Sequence, residues 1–419
     1  MTNLPKIAVL MSRGIEGGGV SNYVRHLKAY YDSKSAICDI YSPSFTKGRP
    51  LTSIDLFPYI FEEDSFKDFY RMLYPYDAVF VMGGVHKKMP DWYVNSYIEQ
   101  LKKSKKPIIL YNFDHHYVAY STNARYGELL DIADSFLSYS TSECMSGIIR
   151  YMRRNNFIPP KNHRNLYNFF HNDLLKDYVK IDSRVKKIIH LTRSNLWKRP
   201  GLLANSHEEF ADRGWVVEIL GLERSINTAT FFRKYGHKNF FRMKGFEPKA
   251  CYPNPEKQYN IFKFLAPNIQ KPDTIYLFGP YQYFDGMNRV AQSAFSFHPV
   301  TFEHNGADLG DCAEFIFLES CLLSVPIAQK YTLDRVKLPY TSTPLSDMEF
   351  IVQMEDDNAK YDGAGLGPRI IDVNKLIDRM EEIHSDSNYK KTRKQLVDFM
   401  NDVYSSEVLV PKLLSDVGL

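Results

Sequence analysis

The chain is short of the features that lead a protein out of the cell or into a membrane. No apolar run approaches the ~20 residues needed to span a bilayer, and the opening MTNLPK lacks a charged-then-apolar leader. A cytoplasmic protein without a membrane partner is expected. Cys38, Cys144, Cys251, Cys312 and Cys321 are odd in number and form no Cys-x-x-Cys pair, which argues against a disulfide frame or a zinc knuckle and leaves them as reduced packing residues. Neither Asp-x-Asp nor a Cys/His cluster stands near the candidate site residues, so no metal is expected. Repeats of fixed period and low-complexity tracts are missing too. Net charge is only +4, which by itself says little about partners.

What is present is a long chain with a clear rhythm. At 419 residues, 44% hydrophobic and 14% aromatic, it exceeds the roughly 100–200 residues of one domain and predicts two. In the first half KIAVLM, AICDIYS, DAVFVMGG, KPIILYN and DSFLSYS read as buried strands, separated by stretches with helical spacing such as 21–32 and 91–106. Alternation of this kind implies a parallel sheet wrapped by helices. From Lys186 it restarts with KKIIHLTRS, a helix through 201–213, WVVEILGLE, TIYLFGP, SAFSFHPV, a helix over 312–322 and VPIAQ. The irregular stretch 155–185, with Pro159-Pro160, is the expected boundary. Domains over 1–172 and 173–386 are predicted, followed by a segment 387–419 whose helix, about 387–404, packs back on the first domain.

Between the first strand and the first helix stands SRGIEGGGVSNY, residues 12–23. Gly14, Gly17, Gly18 and Gly19 are costly in backbone entropy. They form either a flexible connector or a turn that a diphosphate or sugar approaches closely, facing backbone N–H groups and a positive helix end. The spacing is not Gly-x-Gly-x-x-Gly and no acidic residue ends the second strand, which argues against a dinucleotide coenzyme. Arg193 and Lys198 follow the first strand of the second unit. There they are either an ordinary basic turn or a pair of cations able to neutralise a departing diphosphate without metal.

Three further groups carry chemistry. In GDCAEFIFLESCLLSVPIAQ, residues 310–329, Asp311 can cap a helix whose first turn holds Glu314. Glu319 lies in apolar company that a carboxylate tolerates only when paired or bonded, by a lysine or by ribose hydroxyls. On a regular helix Glu314 and Glu319 point about 140° apart. Asp114, His115 and His116 follow the strand KPIIL, where a carboxylate or imidazole can orient an attacking hydroxyl. Finally, Arg150, Arg153, Arg154, Lys161 and Arg164 alternate with Tyr151, Phe157, Tyr167, Phe169 and Phe170. This run is either a solvated helix end and linker or a track for phosphates with rings that stack on bases. Lys87-Lys88 and KKSKK at 102–106 are smaller basic clusters.

The pieces MSRGIEGGGVSNY, YNFDHH, LTRSNLWKRPG, ILGLERS, FLAPN and EFIFLESCLLSVPI resemble, in order and spacing, the DNA α-glucosyltransferase family of T-even bacteriophages. The resemblance implies an α/β fold of GT-B type, two Rossmann-like domains facing each other across a cleft. It also implies transfer of glucose from UDP-glucose to 5-hydroxymethylcytosine in duplex DNA, with retention, in an infected bacterial cell. Carried over by position, Gly14, Gly17 and Gly19 resemble the loop against the donor diphosphate and sugar, with Gly18 an added glycine. Arg193 and Lys198 resemble the diphosphate clamp, and Gly221 and Leu222 the wall beside the uracil. Glu319 resembles the ribose-binding carboxylate, Glu314 the group near the sugar hydroxyls, and Asp114 with His115 the pair assigned to catalysis or acceptor contact. Where the family reads His-Asp-His this chain has Phe113-Asp114-His115, and UDP-arabinose stands beside UDP-glucose as donor. Lys87, Lys88, Arg150, Arg153, Arg154, Lys161 and Arg164 are the expected DNA contacts, and no cofactor beyond the UDP-sugar is expected. The alternative is a glycosyltransferase of the same fold acting on a lipid or polysaccharide.

Overall fold

The computed structural model describes residues 4–12, 18–44, 56–113, 124–138, 153, 162–179, 185–191, 202–203, 206–221, 275–277, 283–299, 303–304, 307–308, 314–355 and 370–419. The chain divides into two compact units, one made of Met1–Leu174, Ala307–Phe315 and Asp402–Leu419, the other of Leu175–Gly306 and Ile316–Asn401.

The first unit is built on β1 (Ile7–Leu10), β2 (Cys38–Pro43), β3 (Tyr59–Phe61), β4 (Ala78–Met82), β5 (Ile108–Asn112), β6 (Ser135–Ser138) and β7 (Asn162–Asn165). They form one seven-stranded sheet in the order β3-β2-β1-β4-β5-β6-β7, parallel throughout. Every residue of β1, β4, β5 and β6 is buried, because parallel strands joined by helical crossovers are covered on both faces. Continuous apolar runs such as IAVL and AVFVM follow from that. Helices α1 (Gly19–Ser33), α2 (Asp91–Ser104) and α3 (Tyr126–Ile132) make the crossovers. In α1 the buried Tyr23, Val24, Leu27, Tyr30 and Tyr31 recur at helical spacing and face the sheet. On the other side Phe61, Phe66, Phe69 and Tyr93 pack ring to ring, with centroids 4.8–5.7 Å apart.

In the second unit β8 (Lys187–Leu191), β9 (Val216–Leu220), β10 (Ile275–Leu277), β11 (Phe295–His298), β12 (Val325–Gln329) and β13 (Val352–Met354) form a six-stranded sheet in the order β10-β9-β8-β11-β12-β13. It too is parallel. Its helices include α4 (His207–Asp212), α5 (Tyr283–Ala291), α6 (Phe315–Leu323), α7 (Val373–His384) and α8 (Asp386–Val403), and the chain ends in α9 (Ser406–Asp416). Residues 387–401 belong to this second unit and 402–419 to the first. There Ser406 N–H donates to Phe170 O (2.7 Å), Asn162 Nδ2 donates to Asp416 O (2.9 Å), and Lys34 pairs with Glu407 (2.8 Å).

One stretch differs from its sequence reading. Asn162–Asn165 is a strand that extends the first sheet, inside the span that looked irregular. The polar sequence NHRN hid it because β7 is an edge strand with exposed positions. Phe169 and Phe170 are 1% and 0% exposed, so these two rings are core and do not stack on bases. Fully burying such a ring contributes about 1.5–3 kcal/mol, and Phe169 meets Tyr23 edge-on with centroids 4.8 Å apart.

Candidate active site

In an open parallel sheet, ligands bind outside the carboxyl ends of the strands where the order reverses. In the first unit that point lies between β1 and β4. Ser12, just past β1, has its hydroxyl 2.8 Å from Met82 O and 2.6 Å from Gly83 O, so its proton laces the two strand ends together. Gly83 has φ +80 and Gly18, the residue before α1, has φ +121 and ψ −167, a conformation essentially confined to glycine. Gly18 has no side chain with which to cap α1, and the N-terminal end of a helix carries the partial positive charge that suits an anion. Gly19 is different: a Cβ there would sit 3.9 Å from Phe315 Cδ2, ordinary contact distance. Among the described residues, space therefore does not demand a glycine at 19.

Phe315 brings Glu314 to this corner of the first unit. Its ring stacks on His26 with centroids 6.0 Å apart and planes 7° from parallel, and it meets Tyr23 edge-on at 5.8 Å. Tyr23 also packs edge-on against Tyr111 (5.3 Å) and Phe113 (5.4 Å), and Phe113 stacks on Tyr111. The side chain preceding Asp114 is thus held in an aromatic floor. Burial pushes the Tyr111 phenol well above its ordinary range. The sequence spacing put Glu314 inside a helix beginning at 312, but α6 begins at Phe315. Glu314 therefore precedes the helix, and the 140° relation to Glu319 does not hold.

The basic residues sort by topology. Lys87 and Lys88 follow the carboxyl end of β4 and are exposed. Arg164 is exposed on β7 and paired in register with Leu137 of β6, while Arg153 is exposed on a helical residue. KKSKK at 102–106 closes α2 and leads into the amino end of β5, so it lies on the edge of the sheet away from the switch point. Next to Arg164, burial and that guanidinium push His163 down to about 4.

The second unit repeats the arrangement with other chemistry. Its order reverses between β8 and β11, where His190 Nδ1–H donates to Phe297 O (2.7 Å). Gly221 follows β9 with φ +91. Glu319, 0% exposed, lies on α6, where Phe317, Leu318, Cys321 and Leu322 are also buried, and burial pushes the Cys321 thiol up. The end of α6 is capped by Arg393 of α8, itself 0% exposed. It donates to Cys321 O (2.8 Å), Ser324 O (2.6 Å) and Leu322 O. A cation suits the negative end of a helix, and three carbonyls compensate a desolvation that lowers its pKa from the ordinary value. Ser12, His26, Phe315, His190 and Arg393 carried no sequence signal: each acts through a neighbour distant in the chain.

Gly14, Gly17, Asp114, His115, Arg150, Arg154, Lys161, Arg193, Lys198 and Leu222 lie outside the described residues, as does the Asp311 cap. Among the described residues no three His, Cys, Asp or Glu side chains form a group able to hold a metal, and no helix is long and apolar enough to cross a membrane.

No family model and no curated protein sequence matches the chain. Solved structures do. An α-glucosyltransferase in complex with UDP and a 13-mer DNA containing an HMU base superposes with TM-score 0.79 at 17% identity, over 100% of both chains. An α-glucosyltransferase with UDP-glucose and DNA containing an abasic site gives 0.76 at 16%, over 99% of this chain and 100% of that one. HepE of Anabaena with UDP-glucose gives 0.51 at 12%, over 98% and 100%. With two parallel sheets of Rossmann order and full-length likeness to these proteins, the chain has the GT-B fold.

Proposed function

We propose that the protein is a retaining DNA glycosyltransferase that moves a sugar from a UDP-sugar, glucose or a pentose such as arabinose, to hydroxymethylated or hydroxylated cytosine in duplex phage DNA within the bacterial host. The observation that carries this reading is full-length likeness to an α-glucosyltransferase bound to both UDP and DNA, joined to motif islands that match that family in order. The glycine-bearing turn and α1, with Glu314, serve the diphosphate and sugar. Arg193 and Lys198 clamp the diphosphate, Glu319 takes the ribose hydroxyls, and Gly221 with Leu222 lines the uracil. Lys87, Lys88, Arg150, Arg153, Arg154, Lys161 and Arg164 hold the duplex.

In the proposed step the bond from the sugar anomeric carbon to the UDP oxygen breaks while the acceptor hydroxyl oxygen bonds to that carbon from the same face. Its proton leaves toward the departing phosphate, with Asp114 and His115 orienting the hydroxyl. Cations and backbone amides aimed at the developing phosphate charge supply the largest contribution. Rotating the base out of the stack, where needed, costs a few kcal/mol. Phe113 offers an apolar ring where the family has an imidazole, which supports a pentose as readily as glucose.

The deciding experiment incubates the protein with hydroxymethylcytosine duplex and a panel of UDP-sugars, then digests to nucleosides and weighs them. A product heavier by one anhydrohexose or anhydropentose is expected with one donor. Unchanged masses with every donor end the proposal. A salt titration of duplex binding separates this reading from a lipid or polysaccharide acceptor, since phosphate contacts make affinity fall steeply with salt.

A further inference from the structure

The turn after β4 holds two exposed lysines between two buried anchors. Val85 and Met89 are 0% and 3% exposed and belong to the first unit's core, whereas Lys87 and Lys88 between them face solvent. The turn is closed twice on one residue: Met89 N–H donates to His86 O (2.9 Å) and Lys88 N–H donates to His86 Nδ1 (3.0 Å). Ala124 N–H fixes the near anchor by donating to Val85 O (2.7 Å). His86 is only 7% exposed. An amide can only donate, so His86 Nδ1 is the acceptor and carries no proton.

We infer that His86 is a positioning residue for duplex binding, its Nδ1 holding the backbone from which Lys87 and Lys88 meet the phosphates. The inference rests on the DNA-acceptor reading above. A lysine ammonium ends a flexible stem, and a backbone ordered in advance lowers what must be immobilised on binding. The anchors set where the turn stands on the carboxyl edge, and the imidazole sets how its amides and side chains are aimed. A buried aromatic of equal size without an acceptor would keep the first and lose the second.

The test compares the full-length protein with His86→Phe, His86→Asn and Lys87→Ala/Lys88→Ala on hydroxymethylcytosine duplex. His86→Phe is expected to weaken duplex binding about three- to tenfold and raise the KM for duplex, with the KM for the UDP-sugar and the melting temperature unchanged. His86→Asn, whose amide oxygen can accept from Lys88 N–H, restores most of the affinity. Added to Lys87→Ala/Lys88→Ala, His86→Phe has no further effect, since coupled residues are not additive. Wild-type affinity in His86→Phe, equal loss in His86→Asn, or additive losses would each overturn the role. Where His86→Phe does not fold, His86→Leu makes the same comparison. Duplex binding by the wild type that is absent or indifferent to salt defeats the DNA reading itself, whereas salt-sensitive wild-type binding with an unaffected variant defeats only the positioning role.

Discussion

The two sheets reverse their order at equivalent places, and each is laced there by a side chain reaching from its first strand to its fourth. In the first unit the link is the Ser12 hydroxyl to Met82 O and Gly83 O. In the second it is the His190 imidazole to Phe297 O. Beyond the links the units diverge. The first carries Gly18 at the head of α1, aromatic rings packed on that helix, and two exposed lysines after β4. The second buries an apolar helix that carries Glu319 and is closed by a buried arginine. One strand order thus supports two differently furnished carboxyl edges, one with exposed lysines and the other beside a helix that holds a buried carboxylate.

The largest expected effect sharpens the second half of that contrast. Arg393→Met strands three carbonyls at the end of α6 and should destabilise the protein by about 3 kcal/mol, read by denaturant unfolding; an unchanged midpoint would remove Arg393 as the cap. Glu319→Gln, which keeps the size and one acceptor oxygen, should weaken UDP-sugar binding by about 100-fold while stability changes by no more than about 1 kcal/mol. Calorimetry and melting measured together check this, and a loss of stability with donor binding intact would make Glu319 structural.

Acid should strike the first unit by way of β7. The folded pKa of His163 is held down to about 4 from an ordinary 6.5, so below about pH 6.5 the unfolded chain binds a proton that the folded one refuses. Stability therefore falls as pH drops through the window from 6.5 to 4, by about 3 kcal/mol. His171, also lowered by burial, adds to the same slope. His163→Gln should flatten most of it in unfolding curves taken across that range.

Gly19→Ala tests the glycine turn against its own fold. Contact at 3.9 Å leaves room for the methyl, and alanine favours the helix, so melting should hold while the KM for the UDP-sugar rises about tenfold, 1.4 kcal/mol. A lowered melting temperature with unchanged KM would assign the glycine to folding. The smallest effect is Ser12→Ala, about 1 kcal/mol for one lost hydrogen bond. It should lower stability in unfolding curves and leave the KM for the UDP-sugar unchanged.

Much of the strand layout was legible because buried parallel strands read as unbroken apolar runs. IAVL, AVFVM, IILYN and SFLS lie in strands that the structure confirms, and so do KIIHL, VVEIL and VPIAQ. Edge elements were not. NHRN of β7 and YIF of β3 have too much exposed surface to stand out, and VQM of β13 is only three residues long. The arginine in KKTRKQLV stands among lysines and glutamine, yet Arg393 is wholly buried because three carbonyls at the end of α6 receive it. In the basic-aromatic run, Phe169 and Phe170 reversed sides for the same reason: a ring buries wherever neighbours offer a surface, and those neighbours are α1 and the residues before α9.

By itself the sequence determined two repeating α/β rhythms, a cluster of glycines after the first strand and a glutamate among apolar neighbours, since periodicity and composition are local properties. Tertiary structure alone decided which lysines stand on the carboxyl edge, that Glu314 precedes its helix while Phe315 packs beside Gly19, and that His86, Phe315 and Arg393 hold other residues in place. These depend on strand order and on partners far apart in the chain, and residue spacing carries no record of either.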